Sequence, residues 1–592
     1  MSGEPFTDSR RLTGPNPYFA GTGAALEAGP EAAVGDATLA AWRATVEQVR
    51  AHLVWPTGPL LARRHCRGAS LVLAAPADQL YTATELNEWA WLLALASAGE
   101  AVEAPLAPGH PALHDRDAAL ATLVRMAAAE AQPALVPLLA RAQSARLPVL
   151  LDEDALTLGS GRTGRTWPLA ALPATDEVPW PALAVVPTAL VTGSNGKTTT
   201  VRLLAAMARA HGWRTAHSCT DGLYLDADLL DGGDWSGPAG ARTLLRRPEV
   251  EAAVLETARG GLLRRGMALA RADVALVTNI SADHFGEYGI HDLDDLAWVK
   301  LTVARAIEAD GVLVLNADDP VLVRHAAALA CPLAWFGLDA SAPALVAARQ
   351  EGLHCCAPEA GHLWLHEDGV SHDLGAAASM PLTASGSARY NLANAAAAAL
   401  AARALGIAPA TIADVLARFG ASARDNPGRL QRWQLDGLAV LLDYAHNPEG
   451  LTGLLEVAGR QPGGRLALLL GQAGNREDAQ IRDLATAAAR FAPDRVVLKD
   501  MEGYLRGRGA GEVAGILARA LHDGGVPPEA LVECLDEVEA VRGLLAWART
   551  GDTLVLPVHN ADARDQVCAL LDALVAVDWR PGQALPVVLP PS

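Results

Sequence analysis

Val191–Thr200 reads VTGSNGKTTT, and the reading of the whole chain turns on it. The stretch closes a short apolar run, ALVTG (189–193), and opens a helically spaced one, TTTVRLLAAMARAHG (198–212). Gly193 and Gly196 let the backbone turn tightly, so that its N–H groups converge on phosphate oxygens. Lys197 supplies a point charge for the outer phosphates, and the Thr198 hydroxyl reaches a magnesium ion. Ser194, Asn195 and Thr199 complete the cradle. Longer loops of this kind carry a further glycine where Val191 stands, so this is the short form, G-x-x-G-K-T. A helix-capping turn would explain the glycines. It would not explain a lysine between Gly196 and three threonines, which is poor helix-start chemistry without an anion.

Outward from the loop, short apolar runs alternate with helical patterns. AAVLETA (252–258), ADVALVTNI (272–280) and GVLVLNA (311–317) read as strands, and so do LAVLLDYA, RLALLLGQA, RVVLKD and DTLVLPV after residue 435. Such alternation predicts parallel sheets with helices on their faces, hence two successive α/β domains. A proline-rich stretch at 172–187 and RDNPGRLQR at 424–432 mark the breaks. The expected division is 1–178, 179–425 and 426–592. Residues 351–385, punctuated by Gly and His, read as a small antiparallel β excursion.

The chain has 592 residues, room for three or four domains of roughly 100–200 residues each. It is 51% hydrophobic and 19% charged, so it can bury large cores. A formal net charge of -19 would repel a nucleic-acid backbone, and no nucleic-acid partner is expected. Apolar runs such as Leu438–Leu442 are too short to span a bilayer, and Met1–Phe19 lacks the pattern of a signal peptide. Seven scattered cysteines without zinc-type spacing read as free thiols in a reducing compartment. A cytoplasmic protein with no membrane partner is the expectation.

Several polar residues stand at predicted strand ends, which in open α/β sheets face the ligand crevice. Glu256 ends one strand, and Asn279, Asp283 and His284 follow the next. Singly these read as caps or surface groups; beside a phosphate loop, Glu256 and His284 suit Mg²⁺. Asn391 and Asn394, three apart on one helix face, carry amides that match an adenine edge. Arg429 lies at the second break, and Asp443, His446 and Asn447 end a strand in LLDYAHNPEG.

These motifs resemble the Mur ligase superfamily, which includes the peptidoglycan amino-acid ligases, folylpolyglutamate synthetase and the ligase half of cyanophycin synthetase. T-G-x-x-G-K-T-T is similar to its ATP loop, and YNLANAAAA departs from the family's H-N-x-x-N-x-x-A-A only at Tyr390. Residues 220–268, with ARGG-x-LRRG, and the loops GQAGNREDAQIRDL (471–484) and KDMEGYLRGRGAGEV (499–513) resemble cyanophycin synthetase in particular. RRLTGPNPYF (10–19) and 147–167 resemble its N-terminal region, but only about twenty residues then lead to the loop, where that enzyme carries an ATP-grasp domain.

The resemblance implies an N-terminal α/β domain, a central phosphate-loop ATPase domain with a parallel sheet, and a C-terminal Rossmann-like α/β domain. It implies ATP and Mg²⁺ as cofactors and an acyl phosphate formed on an acidic acceptor, a small-molecule or peptide carboxylate, then coupled to an amino acid. Lys197, Glu256, His284 and Lys300 are the implied catalytic residues, Lys300 as a carbamate; Thr198, Glu256 and His284 would hold the metal. Gly193–Thr199, Asn279, Asn391, Asn394, Arg429 and Asp443 would bind nucleotide. His446, Asn447, Arg476, Glu477, Arg506 and Arg508 are candidates for orienting substrate. One amide bond, rather than a two-step polymer, is expected. A homo-oligomer and a separate ATP-grasp partner both fit. The competing readings are a folylpolyglutamate-synthetase-like ligase and a non-catalytic ATP-binding subunit of a polymer-synthesising assembly.

Overall fold

The computed structural model describes residues 4–29, 34–100, 102, 110–283, 285–459, 463–501 and 503–586. His284 lies outside these residues. The N-terminal region opens with a four-stranded antiparallel sheet of β1 (Phe6–Leu12), β2 (Gly23–Ala28), β3 (Leu60–His65) and β4 (Gly68–Ala74), ordered β1-β2-β4-β3. The helices Asp36–His52 and Leu80–Ser97 bury Trp42 and Trp91 against it. The Trp42 ring N–H donates to Asn87 at 3.0 Å, and Asn87 donates to the Leu71 carbonyl, so the buried polar groups are paired. A second antiparallel sheet, β5 (Val149–Leu151), β6 (Ala155–Leu158) and β7 (Arg165–Pro168), packs on the helix Leu135–Ser144.

The central sheet has eleven strands: β8 (Thr188–Thr192), β9 (Thr215–Cys219), β10 (Gly222–Leu225), β11 (Asp228–Gly232), β12 (Ala252–Glu256), β13 (Val274–Val277), β14 (Val312–Asn316), β15 (Leu333–Phe336), β16 (Cys355–Glu359), β17 (His362–Glu367) and β18 (Val370–Ala376). Their order is β11-β10-β9-β12-β8-β13-β14-β15-β16-β17-β18. From β9 to β16 all neighbours are parallel, and the rims β10–β11 and β17–β18 are antiparallel. The excursion read at 351–385 is thus the far rim of this sheet. The continuous apolar runs of β8, β12 and β13 are buried on both faces, as a parallel sheet covered by helices requires. Because β8 lies between β12 and β13, the chain order reverses at its C-terminal end. That reversal opens a crevice at the loop 193–196.

The C-terminal sheet contains β19 (Gln431–Leu435), β20 (Leu438–Asp443), β21 (Leu466–Leu470), β22 (Arg495–Leu498), β23 (Leu531–Glu533) and β24 (Thr553–Pro557), ordered β19-β20-β24-β21-β22-β23. Only the β19–β20 hairpin is antiparallel. Parallel-sheet central and C-terminal domains are therefore both present. Among the described residues, no single helix is long and apolar enough to cross a membrane.

Candidate active site

The phosphate loop is built as its sequence requires. Gly193 and Gly196 have φ of 142° and 83°, the left-handed region that glycine tolerates. A Cβ on Gly193 would run into the Thr278 hydroxyl, and one on Gly196 into the Asn394 amide. The loop is fastened to the end of β13: Ser194 N donates to Asn279 O (2.9 Å), Asn195 N to Asn279 Oδ1 (2.9 Å), and Thr278 Oγ1 to Asn195 O (2.6 Å). The Ser194 hydroxyl donates to Ser281 O at 3.0 Å. The helix Lys197–His211 starts from Gly196 without a side-chain cap, leaving its first N–H groups for an anion.

Around this loop the expected side chains converge. Lys197 Nζ donates to Ser194 O at 3.1 Å, within its own loop. Glu256, buried at the end of β12, accepts from Thr198 Oγ1 (2.8 Å) and Thr220 Oγ1 (2.9 Å). Lys300 ends the helix Leu293–Lys300, yet it is 4% exposed rather than solvated, and its Nζ donates to Gly193 O at 2.7 Å. Burial, reinforced by Lys197, holds its ammonium well below the usual lysine range, which favours a neutral amine. Asn391 and Asn394 are buried; Asn391 donates to Leu382 O, and Asn394 to Asn391 Oδ1 at 3.2 Å. Both line the cleft, and Asn394 lies against Gly196.

The C-terminal domain closes on the loop. Asn447 caps the helix Pro448–Ala458 and donates to Asn195 Oδ1 at 2.8 Å, while Asn195 donates to Glu449 Oε2 at 3.0 Å. Arg476 pairs with Asp283 at 2.9 Å, and His446 Nε2 stands 3.8 Å from the same carboxylate. Asp443 accepts from Leu430 N at 2.7 Å, and burial pushes its carboxyl up against the pull of Arg429. The Arg429 guanidinium lies 4.5 Å from the Tyr444 ring centre. Arg506 lines the cleft beside Tyr504.

Four of the described candidates stand outside the lining: Gly193 and Asn447, which bond to Lys300 and Asn195, and Glu477 and Arg508. Glu477 takes part in the capping box of the helix Asp478–Ala489 and pairs with Arg67 of the N-terminal region. The Arg508 guanidinium is taken up by Gly474 O, Arg476 O, Asp478 and Glu512, so it braces the two loops instead of facing substrate. The cleft measures about 1300 Å³ and extends to Asp8, Ser9 and Arg10 on β1.

Sequence reasoning missed Asp221, in the turn between β9 and β10. Its carboxylate accepts from Arg202 (2.8 Å), Arg564 (3.1 Å) and Arg429 (3.4 Å), and these guanidiniums outweigh burial and hold it at about 2. A carboxyl depressed in the folded state stabilises the fold above its unfolded pKa, and that contribution is lost as pH falls from about 4 towards 2. The shift is worth about 2 kcal/mol at neutral pH. The stability difference between the native chain and Asp221→Asn, from urea unfolding, is therefore expected to shrink by about 1 kcal/mol between pH 6 and pH 3. A difference independent of pH would contradict this assignment.

A metal is tested by the donors present. Among the described residues no group of three His, Cys, Asp or Glu side chains could hold one. Mg²⁺ takes only one or two protein oxygens beside phosphate and water, and the Thr198 hydroxyl with the Glu256 carboxylate fits that demand.

Two stretches of the chain match known protein domains. Residues 191–402 match the Mur ligase middle domain, and 428–557 the Mur ligase glutamate ligase domain. Cyanophycin synthetase of Geminocystis herdmanii is 35% identical over 373 residues, 63% of this chain and 42% of that protein. The UDP-N-acetylmuramoyl-L-alanyl-D-glutamate–2,6-diaminopimelate ligase of Geobacter metallireducens is 27% identical over 438 residues, 65% of this chain and 78% of that one. The chain thus spans less than half the length of the cyanophycin synthetases it matches. Among solved structures, E. coli FolC in complex with DHPP and ADP has 21% identity and a TM-score of 0.49, covering 65% of this chain and 89% of that one.

Proposed function

Because residues 191–402 and 428–557 are the middle and C-terminal domains of a Mur ligase, we propose that the chain is an ATP-dependent amide ligase. In this reading it activates a carboxylate as an acyl phosphate and couples it to the amine of an amino acid. The observation that supports it most directly is the convergence of Lys197, Thr198, Glu256 and Lys300 on one loop under the C-terminal domain.

The loop N–H groups and Lys197 hold the ATP phosphates, and Asn279 keeps the loop in shape. An acceptor carboxylate attacks the γ-phosphorus in line; the bond to the ADP oxygen breaks, and an acyl phosphate forms. The amine then attacks the acyl carbon and expels phosphate, leaving an amide. Thr198 and Glu256, with His284 from the sequence, would hold Mg²⁺, which would supply charge neutralisation for the transferring phosphoryl group. The neutral Lys300 amine takes up CO₂ as a carbamate, forming an N–C bond and releasing a proton, which places a second anion beside Gly193. Asn391 and Asn394 contact adenine, and Asn394 also backs the loop at Gly196. Arg429 and Asp443 reach the nucleotide from the C-terminal side.

Excluding water protects the acyl phosphate, and the ties from Asn447 and Glu449 to Asn195 do this work. His446, Arg476 and Arg506 orient the incoming amino acid, whose carboxylate suits a guanidinium fork. The acceptor is an aspartate-like or peptide carboxylate. A single ligation is the expected reaction, since the chain runs from Pro168 to Thr188 with no intervening sheet. The proposed setting is the cytoplasm, without nucleic acid or membrane as partner.

The test is phosphate release with Mg·ATP, aspartyl acceptors free and in peptides, and each amino acid in turn, with products read by mass spectrometry. Release should require both an acceptor and an amine, and hydroxylamine should trap the activated acceptor as a hydroxamate. Nucleotide binding with no acceptor-dependent release would overturn the ligase reading in favour of a non-catalytic subunit.

A further inference from the structure

The cluster around Asp221 gathers parts of the chain that are distant in sequence. Arg202 belongs to the helix Lys197–His211 behind the phosphate loop, Arg429 to the segment joining central and C-terminal domains, and Arg564 to the helix Ala561–Ala576 of the C-terminal domain. None of the four side chains is more than 13% exposed. Arg202 also donates to Pro427 O at 2.9 Å, and Asn426 donates to Thr199 Oγ1 at 3.2 Å, so the joining segment is fixed to the loop helix on both sides. Gly428, at φ 71°, lets the Arg564 side chain lie directly on that segment; a Cβ there would meet Arg564 Cδ at 2.7 Å.

Three guanidiniums around one carboxylate leave two positive charges in excess, and Asp221, Arg429 and Arg564 all line the cleft. A buried carboxylate is costly to hold without partners, and so are three adjacent cations without it. Asn447 and Glu449 to Asn195, and Arg476 and His446 to Asp283, tie the domains near the strand ends, and Ala384, Ala388 and Tyr390 pack on the C-terminal core. The Asp221 cluster instead sits at the joint itself.

We propose that Asp221 is a positioning residue that, with Arg564, aims Arg429 at the nucleotide phosphates and latches the C-terminal domain closed before nucleotide arrives. This rests on reading the cleft as a nucleotide site. Arg564 thereby becomes a second cation from the C-terminal domain available to a polyphosphate, besides Arg429. The latch works by charge beside that apolar packing, and because the cluster is buried, high salt should loosen it only modestly.

The experiment is a cycle of Asp221→Asn, Arg564→Gln and Arg429→Ala, read by affinity for Mg·AMP-PNP and by small-angle scattering of the nucleotide-free protein. Asp221→Asn and Arg564→Gln should each weaken binding by about tenfold, and the double variant should be no worse than the weaker single. In the Arg429→Ala background, Asp221→Asn should cause no further loss, which a merely structural defect would not reproduce. The nucleotide-free native chain should scatter as compactly as the nucleotide-bound one, while both latch variants expand and contract only when AMP-PNP is added. Additive losses, or scattering unchanged by the substitutions, overturn the proposal. Should Asp221→Asn fail to fold, Arg564→Gln alone, on a peripheral helix, decides both readouts. If the native chain binds no AMP-PNP, the nucleotide reading fails, and the scattering comparison still tests the latch.

Discussion

Replacing Lys197 with alanine is expected to lower acceptor-dependent phosphate release by about a thousandfold or more. In the proposed reaction, the charge it removes lies where negative charge moves during phosphoryl transfer, in a cleft partly covered by the C-terminal domain. The fold should barely notice. Among the described residues, Lys197 Nζ bonds only to Ser194 O in its own loop, so the unfolding free energy should stay within about 1 kcal/mol of the native value. Arginine should not substitute, because a planar fork does not occupy the place of a compact ammonium inside a tight glycine turn. Measured side by side, release within tenfold of the native rate would remove Lys197 from the chemistry.

Lys300→Ala carries the second large effect, a loss of about a hundredfold or more in kcat. This lysine is sequestered and bonded to Gly193 O, with no charged partner within hydrogen-bonding distance among the described residues, and in the proposed reaction its amine meets CO₂. Native activity should therefore fall when bicarbonate is stripped from the buffer and return when it is restored. Lys300→Ala and the volume-conserving Lys300→Met should be indifferent to bicarbonate. If Lys300→Met retains native kcat, the side chain is a structural brace for the loop.

How much was legible beforehand depended on whether the signal was local. The loop at 191–200 and the apolar runs of β8, β12, β13, β14, β20, β21, β22 and β24 could be read directly, because buried parallel strands are apolar throughout and are punctuated by their own turns. The four-stranded N-terminal sheet was not read. Its central strand β2, GAALEA, is built of residues that favour helices; pairing with β1 on one side and β4 on the other overrides that preference. Lys300 looked like a solvent-facing helix residue from its own segment and was singled out only by resemblance; its burial comes from the fold around Gly193. Asp221 carried no signal at all. An aspartate in a T-D-G turn is ordinary, and the three arginines that define it lie at 202, 429 and 564. Arg508 and Glu477 show the opposite error, since charged residues near a ligand loop are as readily spent on shaping the loop as on meeting the ligand.

The order in which these parts leave the ribosome matters for the cell. The loop at 193–199 emerges early, but the residues that hold it, Thr278, Asn279 and Asn394, follow much later, and those that roof it, Asn447 and Glu449, later still. The Arg564 that completes the joint arrives last. Long-range contacts of this kind form only when both partners have been synthesised. Until residues 447–564 have been made, the loop consequently has no roof, and the reaction proposed above has no shielded place in which to hold an acyl phosphate.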